Sequence, residues 1–193
     1  MKSNNFQPGD SLKTIEAAIQ QTKSESTVAR FYYILWGLML MLHFALRYVT
    51  SHYPNLSGSL TTTLIYLVFP IGGLLSYLRS KKDDKKETIK LHYEKVYVFG
   101  FGGFAIAYGI IFLATVISNR ELPIILFPLL LGLTVFFTGG MTRFRPSIIC
   151  GIIGIICTGI SVNATIETQY ALAAMASLIT LVIPGYLMKL AHV

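Results

Sequence analysis

The chain is 193 residues long, 53% apolar and only 13% charged, with a formal charge of +7 and a mean hydropathy of +0.61. Soluble domains carry roughly 25% charged residues, so this composition excludes a disordered chain, a disulfide scaffold and an ordinary water-soluble enzyme domain. Most of the polypeptide must face something other than water.

Residues 1–30 form a polar arm of mixed charge. They contain neither the apolar segment nor the small-residue cleavage site of a signal peptide, so the first span is expected to serve as its own uncleaved insertion signal. Pro8-Gly9 reads as a turn. A cap at Asp10 or Ser11 then opens a short helix, in which Leu12, Ile15 and Ile19 recur at helical spacing with Lys13, Glu16 and Gln20 between them. A helix of about a dozen residues is marginal alone, so this amphipathic segment is expected to dock on lipid or on protein.

Six stretches follow that are apolar over the roughly 18 residues a helix needs to cross a hydrocarbon core: 31–49, 60–78, 96–118, 122–138, 146–162 and 170–188. Lipid offers no partner to an unpaired backbone amide, which makes helices the required form. The alternating pattern of barrel strands is absent. The expected fold is therefore all-α: a six-transmembrane-helix bundle over residues 31–193, preceded by the amphipathic cytoplasmic helix of residues 1–30.

With six spans, both termini and the linkers 79–95 and 139–145 share one side. Fourteen of the sixteen Lys and Arg residues fall there, and only Arg47 and Arg120 fall on the other. That bias places both termini in the cytoplasm. The basic charge then speaks for topology and anionic headgroups, and no direct contact with nucleic acid is expected. Nine of the eleven tyrosines (Tyr32, Tyr33, Tyr48, Tyr53, Tyr77, Tyr93, Tyr97, Tyr170 and Tyr186) lie near span ends, where a ring with one polar edge is best placed.

Asp84 with Glu87 resembles a capping box, and Ile89, Tyr93 and Val96 continue one face, so the third span is expected to start as a helix near Lys85. The short outer loop Asn119-Arg120-Glu121 makes a tight hairpin of the third and fourth spans. Glycines on the third span (Gly100, Gly102, Gly103, Gly109) and the fifth (Gly151, Gly154, Gly159) predict close helix packing. Helix kinks are expected at Pro70, Pro128 and Pro184.

Trp36, His43 and Arg47 lie seven and four residues apart, on one face of the first span. An ionisable group at that depth is a functional candidate, because exposing it to lipid is costly. Two readings stay open: a polar pathway, or structural roles in which Arg47 snorkels towards Glu121 or Glu167 and His43 bonds a neighbouring helix. All nine acids lie in loops or at span ends, so no carboxylate reaches the midplane as proton-coupled carriers normally need. The four histidines are dispersed without ligand spacing, so no metal site is expected, and no cofactor-binding signature occurs. Cys150 and Cys157 are about 10 Å apart along one helix, too far for a disulfide, and read as packing residues. Arg143 and Arg145 precede Pro146, a residue suited to a first helical turn. With Tyr186 and Lys189 they form a candidate cytoplasmic docking patch, the alternative being topological anchors.

Three segments carry a family likeness: Ile34-Leu35-Trp36-Gly37 with His43, Phe144-Arg145-Pro146 with Ile148-Ile149-Cys150-Gly151, and Ile183-Pro184-Gly185-Tyr186-Leu187 with Lys189. Together with a helix over Glu16 to Lys23 they resemble a group of small, uncharacterised integral membrane proteins of Bacteroidota genomes, over nearly the whole chain. The resemblance implies a bacterial inner-membrane protein, sometimes encoded beside a winged-helix transcription regulator, and no established activity. The expected function is a non-enzymatic interaction, regulatory or scaffold role towards a cytoplasmic protein partner, with a homo-oligomer open. A small transporter or channel with a pathway near His43, Arg47 and Pro70 is the alternative, and a lipid-modifying enzyme using His43 is a third reading.

Overall fold

The computed structural model describes residues 8–53, 55, 58–83, 92–117 and 124–190. Every element among them is helical: α1 (Pro8–His52), α2 (Ser59–Asp83), α3 (His92–Ile117), α4 (Leu126–Met141), α5 (Arg145–Ser161), α6 (Ile166–Ser177), a π-helical turn (Leu178–Val182) and α7 (Ile183–Leu190).

The first helix differs from expectation. Its 45 residues run unbroken, about 67 Å at 1.5 Å per residue, so the expected short N-terminal helix and the first span are one element. Pro8 opens the helix where a turn was expected; a proline fits a first turn because its missing N–H has no intrahelical partner there. A switch from polar to apolar sequence does not by itself interrupt the backbone hydrogen-bond ladder. Side chains before Ala29 lie outside the described residues, and with them the apolar stripe of Leu12, Ile15 and Ile19. The Asp84–Glu87 cap and the loop Asn119-Arg120-Glu121 also lie outside.

α4 begins at Leu126, so Pro128 sits in its first turn, where the lost donor matters little. Pro70 does lie inside α2. Pro184 has a different consequence. It cannot donate to the preceding turn, and directly before it the ladder slips from four residues to five, the Ile183 N–H bonding the Leu178 carbonyl oxygen. The slip leaves room for the proline ring, and α6 passes through the π-turn into α7 without a break.

The core is a close-packed unit of α1, α4, α5 and the α6–α7 run, with α2 laid on α1 and α3 on α4 and α1. Phe127, Leu131 and Val135 of α4, Leu40 and Phe44 of α1, and Leu181 of the π-turn are buried at its centre. Rings from three helices meet at Phe127, with Phe44 at 4.4 Å, Tyr108 at 5.3 Å and Phe104 at 5.7 Å between centroids.

The outside of the bundle is apolar too. On α3, Phe99 is 77% exposed and Ile106 66%, and a similar face on α5 shows Ile149, Ile152, Ile156 and Ile160. An apolar surface this continuous is unsuited to water. Three helical stretches are long and apolar enough to cross a membrane: Ala29–His52, Thr63–Lys82 and Ile166–Met188. The other three apolar helices, Val96–Ile111, Leu126–Met141 and Arg145–Ser161, are shorter. The 16 residues of α4 measure about 24 Å, a little less than a hydrocarbon core.

Candidate functional site

Two places collect the residues that the sequence singles out. The first is the face that α1 turns to α2. Trp36 lies against Gly72, its ring atoms 3.6 Å from where a Cβ would stand on that glycine. Two turns on, His43 points at the same helix, its Nδ1 3.2 Å from the Ile65 carbonyl oxygen. Since a carbonyl only accepts, this contact requires the proton on Nδ1. Phe44 and Phe69 pack on the imidazole at 5.1 and 4.8 Å between centroids, and only 8% of the residue is exposed. His43 is thus sealed between helices. Arg47, one turn further, is half-buried. Glu167, one of the carboxylates within its expected reach, instead faces His52 at 3.6 Å, in a pair about half exposed on both sides.

The second place is the α4–α5 turn. Met141 ends α4, and Arg143 takes a left-handed conformation with φ 56°. The Phe144 N–H then bonds the Gly139 carbonyl oxygen at 2.9 Å, and the Arg143 N–H that of Gly140 at 3.2 Å. This is a Schellman ending, which satisfies two orphan carbonyls at the end of a helix. Its left-handed position usually holds glycine; here it holds an arginine. Arg145 opens α5 with Pro146 beside it, as the sequence leads one to expect. Arg143, Arg145 and Tyr186 are exposed; the Lys189 side chain lies outside the described residues.

The sequence reading missed what joins the turn to the core. Tyr33, expected at an interface, is 2% exposed, and its hydroxyl lies 3.2 Å from Thr138 Oγ1. Thr138 directs its own proton to the Thr134 carbonyl oxygen at 2.8 Å, so Tyr33 donates and Thr138 accepts. Tyr97 and Phe101 pack edge-on against the Tyr33 ring. Ser147, buried beside Gly139, leaves its Oγ without a hydrogen-bond partner. A signal did exist: Thr134, Thr138 and Thr142 recur every fourth residue on α4, each bonding the carbonyl four before it.

The glycines divide. Gly100 meets Thr138, and Gly151 and Gly154 meet α4 and the π-turn, whereas Gly102, Gly103, Gly109 and Gly159 face open space. Cys150 and Cys157 are both free thiols. Among the described residues, no three His, Cys, Asp or Glu side chains gather as metal ligands.

No family model matches the chain, and no curated protein or solved structure matches it either.

Proposed function

We propose that the chain is a six-span inner-membrane protein with both termini in the cytoplasm, and that it works by interaction: it regulates or tethers a cytoplasmic protein through the Arg143/Arg145 turn. The observation that carries this reading is the contrast between its two polar places. His43 is closed off by Phe44, Phe69 and the Ile65 carbonyl, while Arg143 and Arg145 stand exposed on a turn whose backbone is fixed by two capping hydrogen bonds. A rigid, exposed pair of guanidinium groups suits recognition of an acidic partner surface.

The remaining spans follow from the short apolar helices. At about 24 Å, α4 falls only slightly short of a bilayer core, a mismatch that local thinning or the flanking arginines absorb at modest cost. The inside charge bias then orients the bundle. The likeness to Bacteroidota membrane proteins favours a winged-helix regulator as the partner class.

The test is affinity capture of the full chain in mild detergent, beside an Arg143→Glu/Arg145→Glu variant. A specific protein is expected with the parent chain and at least tenfold less of it with the variant. Capture of the same proteins by both would overturn the reading.

A further inference from the structure

The Arg143/Arg145 turn is a loop with a narrow base. Gly139 of α4 and Ser147 of α5 touch there: a Cβ on Gly139 would stand 2.7 Å from the Ser147 Cβ and 2.8 Å from the Ile148 nitrogen. Directly before Gly139 comes Thr138. Its carbonyl oxygen accepts the Thr142 N–H at 3.0 Å and the Thr142 hydroxyl at 2.8 Å, so the turn hangs from this residue.

The hydroxyl that reaches Thr138 comes from another helix. Tyr33 of α1 donates to Thr138 Oγ1 at 3.2 Å, and its oxygen also lies near Ser147 Oγ, so it stands at the base of both arms of the turn. The Tyr33 ring is enclosed by Tyr97 and Phe101 of α3, edge-on at 5.7 and 5.3 Å between centroids. From α7, a Cβ on Gly185 would lie 2.9 Å from the Tyr33 Cβ. A side chain that is 2% exposed and packed this closely moves only with its backbone. That backbone is α1, which continues without a break from Tyr33 to Pro8, about 37 Å.

The capping bonds of the turn have a different effect. Phe144 to Gly139 and Arg143 to Gly140 are bonds within the turn, and they set its shape. They do not set where the turn stands relative to α1. We propose that Tyr33 is the positioning residue of the docking turn: its hydroxyl holds Thr138 to α1, so that the presentation of Arg143 and Arg145 follows the position of α1. The inference rests on the reading of that turn as a docking surface and names the helix that regulates it.

The full chain in mild detergent is compared with Tyr33→Phe, which removes the hydroxyl and keeps the ring. Hydrogen exchange at the Thr142, Arg143 and Phe144 amides is expected to quicken about threefold to tenfold, the factor that one interhelical hydrogen bond is worth. His43→Leu, which gives up an interhelical bond elsewhere, is the comparison. A general loss of stability falls on both variants alike, whereas only Tyr33→Phe is expected to open the turn. Thr138→Ser keeps the acceptor and should exchange as the parent chain does; Thr138→Val should not. Gly37→Ala leaves the hydroxyl and both arginines in place but presses α1 away from the π-turn, since its Cβ would meet Leu181 Cβ at 2.8 Å and the Val182 nitrogen at 3.1 Å. It too is expected to quicken exchange in the turn.

Unchanged exchange in Tyr33→Phe, equal quickening in His43→Leu, or no difference between the two Thr138 variants would each overturn the proposal. Unchanged exchange in Gly37→Ala would overturn the link to α1. Should Tyr33→Phe or Gly37→Ala not fold, the Thr138 pair decides alone. Affinity capture on the same preparations keeps this proposal distinct from the proposed function. Tyr33→Phe is expected to capture at least about threefold less partner although both arginines remain. A parent chain that captures no specific protein sinks the proposed function, and exchange still judges the tie to α1. Undiminished capture by a Tyr33→Phe chain whose turn exchanges faster overturns the positioning role and leaves the docking turn standing.

Discussion

Gly132 of α4 and Gly151 of α5 meet backbone to backbone. A Cβ on Gly132 would lie 2.9 Å from the Gly151 carbonyl oxygen, and one on Gly151 would lie 2.8 Å from that of Gly132 and 2.6 Å from the Phe136 nitrogen. Between inserted helices there is little hydrophobic drive, because lipid tails are as apolar as leucine. Association rests on van der Waals contact at close range. The obstructing atoms are main-chain atoms, which no rotamer change can move. Gly151→Ala is therefore expected to separate α4 from α5 and to destabilise the protein by about 2 kcal/mol or more. Thermal unfolding in detergent is the measurement.

The reverse sign is expected where a glycine touches nothing. Gly102 and Gly159 have no heavy atom within 4 Å of an added Cβ. A helix-interior glycine lies about 0.5–1 kcal/mol above alanine in backbone entropy, so Gly102→Ala and Gly159→Ala should stabilise by up to that amount. If both instead destabilise as strongly as Gly151→Ala, those faces are covered by something beyond this chain.

Thr138 and Ser147, both 1% exposed, offer a second pair of opposite signs. Thr138 accepts the Tyr33 hydroxyl, so Thr138→Val strands a buried donor and should cost about 1–3 kcal/mol. Ser147 Oγ lies near the Tyr33 hydroxyl without a hydrogen bond of good geometry, so Ser147→Ala removes a poorly met polar group at almost constant volume. It is expected to be neutral or to stabilise by about 1 kcal/mol. Equilibrium unfolding of the two variants in one detergent decides the matter.

What the sequence could reveal here was what depends on neighbours along the chain. Runs of apolar residues mark the helical stretches of α2 to α5 and of the α6–α7 run but not the extent of α1, which reaches back to Pro8, and Arg145-Pro146 marked the start of α5 because a first turn has no use for the missing N–H. Trp36 and His43 share a face by helical arithmetic, and the structure turns that face to Gly72 and Ile65. What stayed hidden needs knowledge of a facing helix. The glycines of α3 and α5 looked alike as letters, yet Gly151 has α4 opposite it and Gly159 has nothing. Pro184 announced an irregularity, but a kink and a π-turn arise from the same lost donor, and packing against Gly37 and Gly154 decides between them. Tyr33 read as an interface residue because its acceptor, Thr138, is 105 positions away.

His43 is expected to matter for packing alone. Interhelical hydrogen bonds inside membranes average about 0.6 kcal/mol and reach about 1.7. His43→Leu, which keeps the volume roughly and gives up the Ile65 contact, should therefore lower stability by about 1 kcal/mol. Ion or solute flux through proteoliposomes should not change with His43→Ala or Arg47→Ala. A flux present in the parent chain and lost in either variant would favour a carrier over an interaction protein.

Arg143 joins conformation to charge, and substitutions can separate the two. Its φ of 56° is a conformation that costs a side-chain-bearing residue about 1 kcal/mol or more and costs glycine nothing. Arg143→Gly should raise stability by up to about 1 kcal/mol while removing one of the two exposed guanidinium groups. A branched residue such as Arg143→Val should destabilise, since its Cβ substituents crowd the left-handed backbone. If the turn is a docking surface, Arg143→Gly gives a protein that is more stable and captures less partner. If the arginine acts only as a topological anchor, stability rises and capture does not change. Measuring unfolding and capture on the same preparation distinguishes a residue kept for its fold from one kept, against the preference of the backbone, for its charge.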